Sequence, residues 1–186
     1  MAALRVAEPR IAVEIVASDT SENLLFREAD IAVRMYRPEQ LDIISRHLGD
    51  MPLGLFASHS YLRRHGRPDG FEALKSHRFV GHDRNDTIIR GMRDVGWIVT
   101  RDWFMTRCDD QNTYWELVRA GCGLGFGLRA LGGDDPDLVE LPVPGVTLPV
   151  LPVWLAAHEA IRHSPRIRRV WDALAEGLQA RMKPPA

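Results

Sequence analysis

Short apolar runs alternate with capped polar segments along the chain, which is the rhythm of an α/β protein. "RIAVEIV" (10–16) is rich in β-branched residues and predicts a strand. The segment after it, "SDTSENLLFREAD" (18–30), predicts a short helix that Asp19 or Thr20 could cap. "DIAVR" (30–34) predicts a compact strand. "LDIISRHL" (41–48) and "LGLFAS" (53–58) flank the turn-like "GDMP", so they read as two further strands.

"SHSYLRRHGRP" (58–68) predicts a helix of one or two turns, stopped by Gly66 with Pro68 beyond. In "DGFEAL" (69–74), Asp69 and Glu72 have capping-box spacing. "HRFVGH" (77–82) predicts a strand. Within the irregular 83–107, "GWIVT" and "WFMTR" alternate as a hairpin or two paired strands do. Thr113 and Glu116 form a second capping box, opening a helix over "YWELVRA" (114–120) that Gly121 ends. "LGFGLR" (124–129), "DLVEL" (137–141) and "LPVWLAAH" (151–158) predict strands, with Pro149 and Pro152 marking an edge or bend. Ser164 and Pro165 then stand as N-cap and first helical residue. Ile167, Val170, Trp171, Leu174 and Leu178 recur at helical spacing through a closing amphipathic helix.

Composition narrows the function classes. The 186 residues are 45% hydrophobic with a formal net charge of −1, enough apolar material for one or two compact lobes. Neither a basic excess nor a dense Lys/Arg run gives this stretch the footprint of direct nucleic-acid binding. Arginine dominates the basic residues, since only Lys75 and Lys183 are lysines, yet its positions are scattered. The two cysteines, Cys108 and Cys122, fit free thiols in a reducing compartment. "MAALRVAEPR" has no apolar core with a small-residue cleavage site, and no apolar run is long enough for a membrane span, so the expected address is cytoplasmic.

Three stretches invite a chemical reading. In "VRAGCGLGFGLR" (118–129) glycines alternate with Cys122, Leu124 and Phe126. A phosphate loop needs strand, then glycines, then helix, so that helix N-terminal amides face the phosphate. Here the order is helix, glycines, strand, and no Lys-Ser/Thr pair follows. The glycines end a helix and let the next strand pass close to a neighbour. In "HEAIRH", His158 and His163 are five apart, about 140° round a helix, where the zincin motif needs a spacing of four. No metal site is expected there, nor at the histidines 47, 59, 65, 77 and 82. No G-x-S-x-G elbow occurs, and Ser58, His82 and Asp109 are residue types that most chains of this size contain. No catalytic residue and no cofactor is assigned.

The strings "READIAVR", "LGLFASHSYLRRHGRP", "LKSHRFVGHD", "DDQNTYWELVRAGCGLGFGLR", "DLVEL" and "LPVWLAAHEAIRHSPRIRRVWDAL", in that order, resemble the effector-binding domain of LysR-type transcriptional regulators. The ordered set carries the match, above all "A-S-x-x-Y-L-x-x-x-G-x-P" followed by "A-G-x-G" and "V-W-L". The likeness runs from about Pro9 to Leu178. It implies a two-lobed α/β fold like that of type 2 periplasmic binding proteins. Lobe one would hold residues 1–56 and 155–186, and lobe two residues 57–154.

The resemblance also implies a small polar or anionic effector in the cleft between lobes, where strand carboxyl ends and helix N-termini converge. The residues it points to are Ser18, Asp19, Arg34, Ala57, Ser58, Gly81, His82, Gln111, Asn112 and Thr113, with Gly123 and Phe126 on the cleft wall. Arg34 could pair with a carboxylate. It is also placed to pair with Asp30 or Glu28; Ser58 and Thr113 are placed to cap helices, and His82 to stand solvated in a loop.

In that family a winged helix-turn-helix and a linker helix precede the effector domain. The chain is expected to begin inside the domain's opening helix, lacking the DNA-binding module and the first strand, so that DNA is reached only through a module not in this sequence. Lobe one would then expose apolar surface that self-association covers, giving a homodimer or higher oligomer. Such a chain would bind effector alone or form mixed dimers with a full-length relative and weaken its operator binding. The alternatives are a solute-binding protein of the same fold and a small-molecule enzyme.

Overall fold

The computed structural model describes residues 1–18, 29–161 and 163–182. In chain order the elements are α1 (Ala2–Ala7), β1 (Ala32–Arg34), β2 (Ile43–Ser58), α2 (His59–His65), α3 (Phe71–Leu74), β3 (Val80–Gly81), α4 (Thr87–Asp94), β4 (Thr106–Arg107), α5 (Gln111–Arg119), β5 (Gly125–Leu128), α6 (Arg129–Gly132), β6 (Leu138–Leu141), β7 (Val150–His158) and α7 (Pro165–Met182). The class is α/β. The backbone forms two compact units: Met1–Met51 with Val150–Ala186, and Pro52–Pro149.

In the first unit β1 pairs antiparallel with β7, with Val33 opposite Leu155. The first half of β2 flanks β7 on the other side. Leu4, Leu48, Met51, Val153, Leu155, Ala156, Ala157 and Ala175 are buried. α7 starts at Pro165, and the Ser164 carbonyl accepts from the Arg168 N–H at 3.0 Å. Its apolar stripe, Ile167, Val170, Trp171, Leu174 and Leu178, is half-buried throughout.

Two expectations for this unit need correction. Residues 10–16 are not a strand, although their pattern is strand-like. A strand is held by its ladder, and no partner pairs with them among the described residues. Ile11 instead serves local contacts: its N–H donates to the Glu8 carbonyl at 3.1 Å and its carbonyl accepts from Arg5 Nη1 at 2.7 Å. "GDMP" is not a turn but the middle of β2, which runs unbroken for 16 residues. Gly49 takes φ +148°, and a Cβ there would come within 2.9 Å of Met182 Sδ. The left-handed region is open to glycine at little cost, so the chain twists at this point without reversing. The helix that Asp19 or Thr20 would cap falls outside the described residues.

In the second unit β2 continues as its central strand. β5 pairs with it antiparallel, Leu53 opposite Leu128 and Phe56 opposite Gly125. β6 pairs with its last part, Ser58 opposite Leu138. β3 and β4 pair in parallel, and Phe79 bridges in parallel to Leu124. Alternate residues face two layers, as strand geometry requires. Leu55, Ala57, Phe79 and Leu124 face a cluster with Tyr61, Leu74, Met92, Trp97, Val99, Phe104 and Leu141. Phe56 and Val80 face Tyr114, Val118 and Leu138.

Three local readings change here. "GWIVT" and "WFMTR" do not form a hairpin: Trp97, Val99 and Phe104 turn into the core, and Thr106–Arg107 pairs with β3. α4 precedes them in a stretch the sequence left irregular. Asp69 caps nothing; α3 starts after Gly70, and Glu72 binds Lys75 Nζ at 2.7 Å. α5 opens at Gln111 with Asp110 as N-cap, its carboxylate accepting from the Thr113 N–H at 2.7 Å, so Thr113 lies inside the first turn.

Candidate functional site

The glycine string is explained by α5. Gly125 and Gly127 lie on the face of β5 turned to that helix. A Cβ at Gly125 would strike Val118 and the Tyr114 hydroxyl, and one at Gly127 would strike the Trp115 ring. Gly123 lets the strand pass the Arg78 carbonyl, 2.8 Å from where its Cβ would be. Gly121, at φ +81°, ends the helix. The run is a packing surface, consistent with its helix-glycine-strand order.

With α5 seated, the carboxyl ends of β3 and β5 and the N-terminus of α5 come to one edge of the unit. Tyr114 is fully buried, and its hydroxyl accepts from the Phe126 N–H at 2.9 Å. Burial pushes its ionisation far up, so the phenol stays protonated. Phe126 points to the other face and stacks on Phe79 with ring centroids 5.9 Å apart. The His82 ring meets the Tyr114 ring edge-on at 5.1 Å. Gly81 is held by its neighbours, since its carbonyl accepts from the Cys108 N–H at 3.0 Å and its Cα faces the Phe104 ring.

Asp109 ties the two ends together, a role the sequence did not reveal. Its carboxylate accepts from the backbone N–H groups of Asp83 (2.9 Å), Arg84 (3.0 Å) and Asn85 (3.4 Å) just past β3. Desolvation opposes its charge; the N–H groups of Arg84, Asp83 and Asn85 and the neighbouring His82 outweigh that and hold the carboxyl below its ordinary range. Asp110 is held low first by the Thr113 backbone N–H, then by the Thr113 side chain. Asp83 in turn pairs with Arg101 and Arg107. Two adjacent acidic residues ahead of a helix were the available signal.

The structure thus brings Gly81, His82, Gln111, Asn112, Thr113 and Phe126 to one edge. It does not bring Ala57, Ser58 and Gly123 there. β2 runs antiparallel to β5, with Leu53 opposite Leu128 and Phe56 opposite Gly125, so its last residues lie at the opposite edge. Ser58 is 2% exposed and caps α2, accepting from the Tyr61 N–H at 3.2 Å. Its hydroxyl lies 3.0 Å from Ser60 Oγ, beside Arg64, whose Nη2 donates to the Gly121 carbonyl at 2.7 Å. Ser58 and His82 therefore form no nucleophile-base pair. Ser18 and Arg34 belong to the first unit, where the Arg34 guanidinium sits 6.0 Å from the Tyr36 ring centroid. Asp19 lies outside the described residues.

Among the described residues no cluster of three metal-ligating side chains occurs, and no helix is long and apolar enough to cross a membrane. His158, the last residue of β7, accepts at Nδ1 from the Ala160 N–H at 3.1 Å in the 3-10 turn that follows. Cys108 and Cys122 are free.

Known proteins of similar sequence are transcriptional regulators. An HTH-type transcriptional repressor of Pseudomonas aeruginosa is 36% identical over 150 residues, covering 78% of this chain and 45% of the relative. The HTH-type regulator CrgA of Neisseria meningitidis is 36% identical over 73 residues, covering 39% of this chain and 24% of CrgA. The chain thus spans less than half the length of either relative. The solved CrgA regulatory domain superposes with a TM-score of 0.81 at 24% identity, over 95% of this chain and 89% of that one. The AmpR effector-binding domain of Citrobacter freundii superposes with a TM-score of 0.69 at 16% identity, over 96% and 88%. The fold is that of LysR effector-binding domains. The family model for the LysR substrate binding domain matches residues 1–179, and the chain belongs to that family.

Proposed function

We propose that this chain is the sensing part of a regulator, and that a small polar or anionic metabolite docks on Gly81, His82, Gln111, Asn112, Thr113 and Phe126. The observation that carries the reading is the shared edge at which β3, β5 and the first turn of α5 end. Ligands of open α/β sheets sit outside strand carboxyl ends, where helix N-termini supply donors. Asp110 already occupies the Thr113 N–H of α5, which favours a polar group over a bare anion. Phe126 adds an aromatic wall.

In the whole regulator this domain would act as a homodimer or higher oligomer in the cytoplasm, with DNA bound by a separate winged helix-turn-helix. The family match is to a regulator's substrate binding domain and gives catalysis no support. The test is calorimetric titration with a panel of small amides, hydroxy acids and carboxylates. A ligand whose binding is lost in Gln111→Ala and His82→Ala but kept in Ser58→Ala supports the site. Equal binding by all three variants rejects it.

A further inference from the structure

We infer that the last turn of α2 and the segment leading into β3 form a docking face for an acidic segment of another protein, whose carboxylates pair with Arg63, Arg64, Arg67 and Arg78. The face lies at the far end of α5 from Gln111, where Arg64 meets the Gly121 carbonyl.

Positive charge is concentrated there. Residues 59–78, "HSYLRRHGRPDGFEALKSHR", hold five of the 24 lysines and arginines and three of the seven histidines against two carboxylates, in a chain whose formal net charge is −1. Glu72 is taken by Lys75 at 2.7 Å. Arg63, Arg67 and Arg78 are exposed and make no ion pair among the described residues.

The two segments meet at Tyr61. The ring of this buried residue lies 4.5 Å from the His65 ring and 5.8 Å from the His77 ring, centroid to centroid. Its hydroxyl accepts from the Arg78 backbone N–H at 2.9 Å and lies 3.3 Å from His77 Nδ1. Arg64 is already held in place, since Nη2 donates to the Gly121 carbonyl at 2.7 Å with the Ser60 hydroxyl beside it over Gly121. A guanidinium fixed on one edge offers its other donors to a carboxylate with little further loss of freedom. The helix macrodipole accounts for Arg63, Arg64 and His65 in the last turn of α2. It does not account for Arg67 and Arg78, which lie outside the helix with their charges unpaired.

Two features favour an acidic protein segment over a nucleic-acid backbone. Asp69 makes no ion pair among the described residues and stands within the same stretch, where a continuous row of phosphates would meet it. The chain as a whole is also not basic, so it lacks the long-range attraction that phosphate binding draws on. Separate carboxylates on a flexible segment meet the arginines one at a time, in forked pairs.

The test uses the whole chain and a fluorescein-labelled octaglutamate peptide, followed by fluorescence anisotropy at low ionic strength. The peptide should bind saturably. Arg63→Ala combined with Arg67→Ala should raise the dissociation constant about tenfold, and Arg78→Ala, in the other segment, about threefold. Arg166→Ala combined with Arg168→Ala, an equal change of charge on α7, should leave it unaltered. All five arginines are exposed, so urea midpoints should stay at the parent's value. In proton NMR the imidazole signals of His65 and His77 should shift as the peptide is added, while that of His158 stays. No saturable binding overturns the inference, as do unmoved signals of His65 and His77. Equal weakening by the two double variants overturns it too, because net charge alone would then attract the peptide. Labelled duplex DNA that binds more tightly than the peptide, and is lost in the Arg63→Ala/Arg67→Ala variant, overturns it in favour of nucleic acid.

Discussion

The Tyr114 hydroxyl accepts a hydrogen bond from the Phe126 backbone N–H at 2.9 Å, so a residue in the first half of α5 is fastened to the strand that follows the glycines. Tyr114 is 0% exposed, and water cannot replace the bond. Tyr114→Phe keeps the ring and leaves the N–H unsatisfied, a cost of about 1–2 kcal/mol. Urea denaturation should show the midpoint lowered with an unchanged slope. An unaltered midpoint would mean the N–H finds another acceptor.

Gly127 faces the Trp115 ring at closer than van der Waals approach for any added Cβ. Gly127→Ala must push the indole, and α5 with it, off β5. Overpacking of this kind costs about 1–3 kcal/mol. Gly70, where a Cβ meets nothing within 4 Å, is the control: Gly70→Ala should leave stability nearly unchanged. Equal losses at both positions would argue against packing as the reason for the glycine string.

Ser58 separates stability from sensing. Its hydroxyl caps α2 through the Tyr61 N–H at 3.2 Å, and it lies across the unit from Gln111 and His82. Ser58→Ala should cost about 1 kcal/mol by thermal or urea unfolding and leave effector affinity unchanged. A variant that folds normally but no longer binds would place the ligand at the other edge.

Element order was legible in the sequence because caps and periodicity are local. Ser58 and Gly66 bracket α2, Ser164 and Pro165 open α7, and "LGFGLR" and "DLVEL" are strands where the alternation put them. What failed depended on partners distant in the chain. Residues 10–16 have the pattern of a strand but no ladder partner among the described residues. Thr106–Arg107 was assigned to a hairpin because its actual partner, Val80–Gly81, lies more than twenty residues back. Between Asp110 and Thr113 both make acceptable caps, and the choice was set by how α5 meets β5. The site was half legible for the same reason: the order of "LGLFAS" and "LGFGLR" says that they are strands, not that they run antiparallel and carry Ser58 away from Phe126.

Acid stability should report on Asp109. Its carboxyl titrates below its ordinary value because the backbone N–H groups of Arg84, Asp83 and Asn85 and the nearby His82 outweigh the desolvation that opposes its charge. A carboxyl lowered on folding stabilises the native state above its unfolded value, about 3.9, and loses that contribution as pH falls through the lower folded value. Asp109→Asn removes the charge and the Arg84 N–H bond to Oδ2, while its amide oxygen can still accept the N–H groups held by Oδ1, so with the charge-assisted part of these bonds lost it should be less stable than the parent at pH 6. The two should converge as pH drops below about 4, since the parent then loses what the variant already lacks. Urea midpoints measured from pH 6 to pH 3 give the comparison. Parallel curves over that range would mean that Asp109 is not the group that fixes the exit of β3 to the start of α5.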